Sequence, residues 1–182
     1  DRLCEMGYEQ TSLRGFRRPG VTAPSTYSCQ RDGMIGLGCG ARSYTQNLHY
    51  GTHFATTQAG VKAILGEWTS QTDTDLTWAT HGFSLNEEER IRRYVIMSLL
   101  QVKGLSTSEL QQRFPNMTVD LHAEWAILKE RGWLNHDHDR YLLTEAGIEN
   151  SDRVGVILYS PLVRENLRSF VEGAARLVNG DP

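Results

Sequence analysis

Met34-Ile35-Gly36-Leu37-Gly38-Cys39-Gly40-Ala41-Arg42-Ser43-Tyr44 is the stretch that organises the rest of the chain. An apolar entry runs into glycines at every second position, Gly36, Gly38 and Gly40. A strand that sheds its side chains at its end lets a backbone or a ligand approach closely. Glycines at φ > 0 also let neighbouring N–H groups converge on a carboxylate or phosphate. The stretch is not a Walker loop, because no Gly-Lys-Ser/Thr follows. It also lacks the G-x-G-x-x-G spacing of a dinucleotide fingerprint. Structural glycines in a strand-to-loop bend are the plain alternative.

Composition narrows the class. The 182 residues hold 39% hydrophobic and 23% charged side chains, with a net charge of −3. That length allows one large domain or two small ones. The balance has no basic excess that would advertise nucleic acid. No run of 18 apolar residues reads as a membrane span, and no leader reads as a secretion signal. Cys4, Cys29 and Cys39 make an odd, widely spaced set, which suits a reducing cytoplasm better than a disulfide framework.

Outward from the glycines, the chain reads as α+β. Residues 1–6 look like the last turn of a helix closed by Gly7. Tyr8 to Phe16 is expected as a strand, followed by a loop with Pro19-Gly20 and Pro24-Ser25 as turns. Arg31-Asp32-Gly33 is expected to turn Tyr27–Gln30 back onto Met34–Leu37. Ala55 to Trp68 carries an apolar helical stripe, and polar residues 71–80 read as a linker between 1–70 and 81–160.

The second half has sharper signals. Ser84-Leu85-Asn86-Glu87 and Ser106-Thr107-Ser108-Glu109 are capping boxes. The first opens a helix with Ile91, Val95, Leu99 and Val102 on one stripe. The second opens a short helix that Pro115 stops. A third helix holds Leu121, Trp125 and Leu128 and closes at Gly132. A hairpin turning at His136-Asp137-His138-Asp139 follows, then a helix from Thr144 to about Tyr159. Ser160-Pro161 starts a last helix over 161–182. Three helices, a hairpin and a trailing helix add up to a winged-helix-like module.

With those elements in hand, Gly36-Leu37-Gly38-Cys39-Gly40-Ala41-Arg42-Ser43-Tyr44 resembles the GxGxGAxSY segment of the oxygen-independent coproporphyrinogen III oxidase family of radical SAM proteins. Gly7-Tyr8-Glu9-Gln10-Thr11-Ser12 and Phe16-Arg17-Arg18-Pro19-Gly20 resemble the strand and loop upstream of it, with Thr11 and Leu13 as departures. Tyr27-Ser28 stands where that family has Tyr-Trp. Glu88 to Leu100 and Leu142-Leu143-Thr144-Glu145-Ala146-Gly147 resemble its C-terminal module.

The resemblance implies a C-terminal remnant of a radical SAM (β/α) partial barrel over 1–70, followed by a winged-helix-like domain. It implies S-adenosylmethionine and a 4Fe–4S cluster in a longer parent. In that parent a 5′-deoxyadenosyl radical would abstract hydrogen from the substrate, a porphyrinogen in the named enzyme. The C-x3-C-x2-C run that holds such a cluster is not in this sequence. It is expected upstream of residue 1, and the chain alone is expected to be inactive. Gly36, Gly38, Gly40, Ala41 and Ser43 would line the cofactor or substrate side of the barrel mouth. The N-terminal barrel would be the chain's partner.

Other constellations are weighed beside this. Arg14, Arg17, Arg18, Arg31 and Arg42 place five guanidiniums within 29 residues. They make either a solvated face or a clamp for an anion such as a propionate, with Arg14, Arg17 and Arg42 as the substrate-binding choices. His49 and His53 stand four apart but not on an expected helix, so they read as loop residues before metal ligands. Haem ligation by His49, His53 or Cys39 follows only if the chain is a haem-binding relative. No nucleophilic triad can be assembled. A DNA-reading winged helix wants a basic third helix, but residues 118–132 set Asp120, Glu124 and Glu130 against Lys129 and Arg131.

Overall fold

A computed structural model describes residues 2–21, 27–53 and 55–169. The chain divides into two units, residues 24–90 and residues 1–23 with 91–182. The divisions fall elsewhere than at the linker expected over 71–80.

Chain order begins with α1 (Arg2–Glu5), then β1 (Glu9–Gln10) and β2 (Phe16–Arg17). The single strand expected over 8–16 is instead a tight antiparallel hairpin, pairing Glu9 with Arg17 and Gln10 with Phe16. Thr11 and Ser12 N–H groups both donate to the Gly15 carbonyl and fold the chain back. The Pro24-Ser25 turn lies outside the described residues.

Within 24–90, Cys29–Asp32 forms a short helix, α2, rather than a strand pairing forward. Ser28 explains the difference: its carbonyl accepts from the Arg31 and Asp32 N–H groups, closing a helical turn. β3 (Ser43–Tyr44), β4 (Leu48–Gly51) and β5 (His81–Ser84) make an antiparallel sheet in the order β3-β4-β5. The register sets Ser43 against Tyr50, and Gly51 against His81. Between β4 and β5 lies α3 (Gln58–Ser70), whose N-cap Thr57 accepts from Gly60 N–H. The expected linker is not structureless, since Asp75–Thr77 forms a 3-10 turn. Apolar burial in this unit is sparse: α3 buries no residue, while Ile35, Leu37, Leu65 and Trp78 are exposed.

α4 (Glu87–Leu99) opens two residues later than the capping box predicts. Ser84 pairs with Leu48 as the end of β5, and Asn86 Oδ1 accepts from Glu89 N–H at 2.9 Å instead. β6 (Leu105–Ser106) leads into α5 (Thr107–Arg113), where Ser106 Oγ caps Glu109 N–H at 3.1 Å as the pattern predicts. α6 (His122–Glu130) is closed through Gly132. β7 (Leu134–Asp137) and β8 (Arg140–Leu143) form the hairpin, with β8 central in a β6-β8-β7 sheet. The helix expected from Thr144 is two, α7 (Glu145–Glu149) and α8 (Ser151–Leu158), broken at Asn150. A last helix, α9, is described over 161–169, and its Val163 N–H donates to Ser160 Oγ. The rest of the expected 161–182 helix lies outside the described residues.

The core of this unit joins α4, β6, α5, α6, the hairpin and α8. Ile91, Val95, Leu99, Leu105, Leu128, Val154 and Leu158 are at most 1% exposed. Each fully buried aliphatic side chain contributes about 1.5–3 kcal/mol, which is what anchors these short elements. Val102, expected on the α4 stripe, lies beyond the helix end and is exposed. Its N–H donates to the Thr11 carbonyl, tying the N-terminal hairpin to this core. No helix among the described residues is long and apolar enough to cross a membrane.

Candidate functional site

Met34 and Tyr44 exchange backbone hydrogen bonds of 2.9 and 2.7 Å, so the glycine-rich stretch is a closed bend hung from β3. A Cβ on Gly36 would stand 2.6 Å from the Arg42 carbonyl, so only glycine fits there. Gly38 and Gly40 have φ of +92° and +78°, the left-handed region that side chains disfavour. Their freedom makes the bend. Two of its amides are used internally. Gly36 N–H donates to Ser43 Oγ at 3.0 Å, and Gly40 N–H to Thr52 Oγ1 at 3.1 Å. Ser43 is 2% exposed, so its hydroxyl braces the bend from inside.

Gly36, Gly38, Ala41 and Ser43 together line a cleft of about 420 Å³. Its other walls come from β4, the C-terminal end of α3 and the segment that leads into β5, including Trp68, Trp78, His53 and His81. Gly40 and Arg42 line a neighbouring groove with Cys39. Arg42 also lines a third hollow with Tyr44, His49 and Phe83. Arg14 and Arg17 belong to the other unit. Arg17 is engaged there by Glu9 at 2.8 Å.

The histidines do not form the pair that their spacing suggests. His49 sits in β4, edge-on to Tyr44 at 4.8 Å. His53 packs on His81 instead, ring centroids 3.4 Å apart. His81 Nδ1 lies 3.0 Å from Thr80 Oγ1. Gln71, the C-cap residue of α3, has a buried Oε1 with no hydrogen-bond partner among the described residues. An unmet buried acceptor costs roughly 1–3 kcal/mol. Asp75 is occupied: Thr72 N–H and Oγ1 donate to it at 2.8 and 2.7 Å. Those bonds, the backbone one first, hold its carboxyl below its ordinary value.

The 136–139 turn is held by its own contacts. His136 stacks on Tyr141, Asp137 contacts His138, and Asp139 is bound by Ser106, Thr107 and Ser108. Among the described residues no three His, Cys, Asp or Glu side chains come together as metal ligands. The free cysteines therefore do not fit an iron–sulfur cluster, and Cys4 is in a different unit from Cys29 and Cys39. Local sequence offered no signal for His81, since pairing of Gly51 with His81 brings His53 to it across the sheet.

Residues 85–149 match the family model of the HemN C-terminal domain. The fold matches coproporphyrinogen III oxidase (HemN) from Escherichia coli, a radical SAM enzyme, with a TM-score of 0.62 and 21% identity. That match covers 86% of this chain and 38% of the other. No curated protein matches the chain in sequence.

Proposed function

We propose, on the premise that residues 85–149 form a HemN C-terminal domain, that this chain is the C-terminal part of a radical SAM oxidoreductase acting on a porphyrin-related substrate. The observation that carries the reading is the order of its parts. A closed glycine bend beside a cleft precedes a segment that matches this family's C-terminal domain.

The chain's own residues would act by binding and orienting. Gly36, Gly38, Gly40, Ala41 and Ser43 would present a flat wall, without bulky side chains, to S-adenosylmethionine or substrate. Arg14, Arg17 and Arg42 would meet carboxylates, with Arg17 already sharing its charge with Glu9. A 4Fe–4S cluster would be held by a segment outside these residues and would supply the electron for radical generation. The 81–160 region would serve as a winged-helix-like lid or docking surface.

The exposed Ile35, Leu37 and Leu65 support an N-terminal barrel as the partner that covers residues 24–90. A cytoplasmic setting agrees with three free cysteines. Nucleic acid is disfavoured as a partner. Residues 118–132 set Asp120, Glu124 and Glu130 against Lys129 and Arg131, a poor surface for phosphates.

The test is anaerobic turnover by the full-length protein reconstituted with iron and sulfide. Release of carbon dioxide from coproporphyrinogen III, coupled to 5′-deoxyadenosine, supports the whole reading. Cleavage of S-adenosylmethionine without decarboxylation keeps the enzyme class and removes the substrate.

A further inference from the structure

The chain carries a net charge of −3, yet one strip of the unit formed by residues 1–23 and 91–182 presents three cations without counter-ions. The N-terminal hairpin and the turn after α4 meet there. Ser12 and Gln101 form an antiparallel bridge, and Val102 N–H donates to the Thr11 carbonyl at 2.9 Å. Arg14 sits in the turn of that hairpin, between Ser12 and Gly15, and Lys103 follows Val102. Arg140 reaches the same place, its Nη1 donating to the Lys103 carbonyl at 3.2 Å. All three side chains are exposed, and none has an ion-pair partner among the described residues. The neighbouring acids are engaged elsewhere: Glu9 by Arg17, Asp137 by His138, and Asp139 by the hydroxyls of Ser106, Thr107 and Ser108. Val102, beside Lys103, is an apolar side chain left 43% exposed.

We infer that this strip docks an acidic segment of a partner protein, with carboxylates on Arg14, Lys103 and Arg140 and an apolar side chain on Val102. An exposed ion pair gains a lone anion at most about fivefold. A single carboxylate or phosphate is therefore held poorly at each cation. A segment that meets all three at once multiplies those gains. Val102 adds an apolar contact among the charges, which a protein can use and a phosphate chain cannot. Residues 10–15, 101–104 and 140 hold no aromatic ring on which single-stranded nucleic acid would stack. Docking here uses no residue of 24–90, and it does not rest on the radical-enzyme reading. It shares Arg14 with the substrate reading, and the test separates the two because no substrate, iron or sulfide is present.

The probe is a labelled decapeptide of glutamates with one central leucine, titrated into the purified protein. Binding should be saturable and should shift the backbone amide resonances of Arg14 and of residues 101–104. It should weaken about tenfold as salt rises from about 0.05 to about 0.5 M, because exposed charges are screened. Lys103→Glu should weaken it about tenfold, since the change removes one attraction and adds one repulsion. Arg153→Glu, an exposed reversal of the same size on α8, should leave it unchanged. Val102→Ser should weaken it about threefold. Both test positions are exposed, so neither change disturbs the core. A deoxythymidine decamer that binds as tightly as the peptide overturns the proposal. So does equal loss in Lys103→Glu and Arg153→Glu, or the absence of saturable binding.

Discussion

Arg92 Nη1 lies 2.9 Å from Glu124 Oε1, with side chains only 7% and 13% exposed, and also donates to the Leu158 carbonyl at 3.0 Å. One guanidinium thus joins α4, α6 and the end of α8. A buried pair is costly to break, because the surviving charge loses its counter-ion. Glu124→Ala should destabilise the protein by about 3–5 kcal/mol. The double variant Arg92→Met, Glu124→Leu should be much less damaging than either single change. Urea midpoints of the four proteins check this, and additive losses would refute it.

Asp139 fixes the hairpin to α5. It accepts from Thr107 Oγ1 at 2.6 Å, Ser106 Oγ at 2.7 Å, and Ser108 N–H and Oγ at 2.9 Å each. These bonds, the Thr107 hydroxyl first, hold its carboxyl well below the usual carboxylate range. A pKa depressed in the folded state gives stability that is fully present above the unfolded carboxyl's pKa, near pH 4. It drains away as pH falls toward the lower folded value. Asp139→Asn should melt a few degrees below the parent at neutral pH, and the gap should narrow below about pH 4. A gap that widens on acidification contradicts the clamp.

Tyr141 is the middle ring of a stack. Trp125 lies 4.6 Å away at 8° and His136 4.2 Å away at 16°. The phenol ring, more than its hydroxyl, makes these contacts. Tyr141→Phe should keep stability within about 1 kcal/mol, whereas Tyr141→Ala should cost about 3 kcal/mol. Thermal unfolding distinguishes them, and equal losses would argue for the hydroxyl.

What the sequence shows and hides follows from range. Ser106 and Glu109 are three residues apart, so their cap is written locally and is found where the pattern puts it. The Ile91, Val95, Leu99 stripe is periodic and buried for the same reason. The error at Ser84 comes from a distant partner: Leu48 claims Ser84 for β5, and Asn86, two residues on, takes over as cap. Met34 likewise bonds Tyr44 rather than its neighbours, and His53 finds His81 across 28 positions. At the glycine bend, spacing points to close approach, which the Gly36–Arg42 contact requires. Spacing does not reveal that Ser43 and Thr52 occupy two of its amides.

The most direct measurement is reductive cleavage of S-adenosylmethionine by the full-length, anaerobically reconstituted protein, compared with its Gly36→Val variant. A Cβ there meets the Arg42 carbonyl and deforms the bend. The account predicts 5′-deoxyadenosine from the parent and at least a tenfold loss in a variant that retains its cluster. No cleavage by a cluster-loaded parent, or equal cleavage by both, would contradict it.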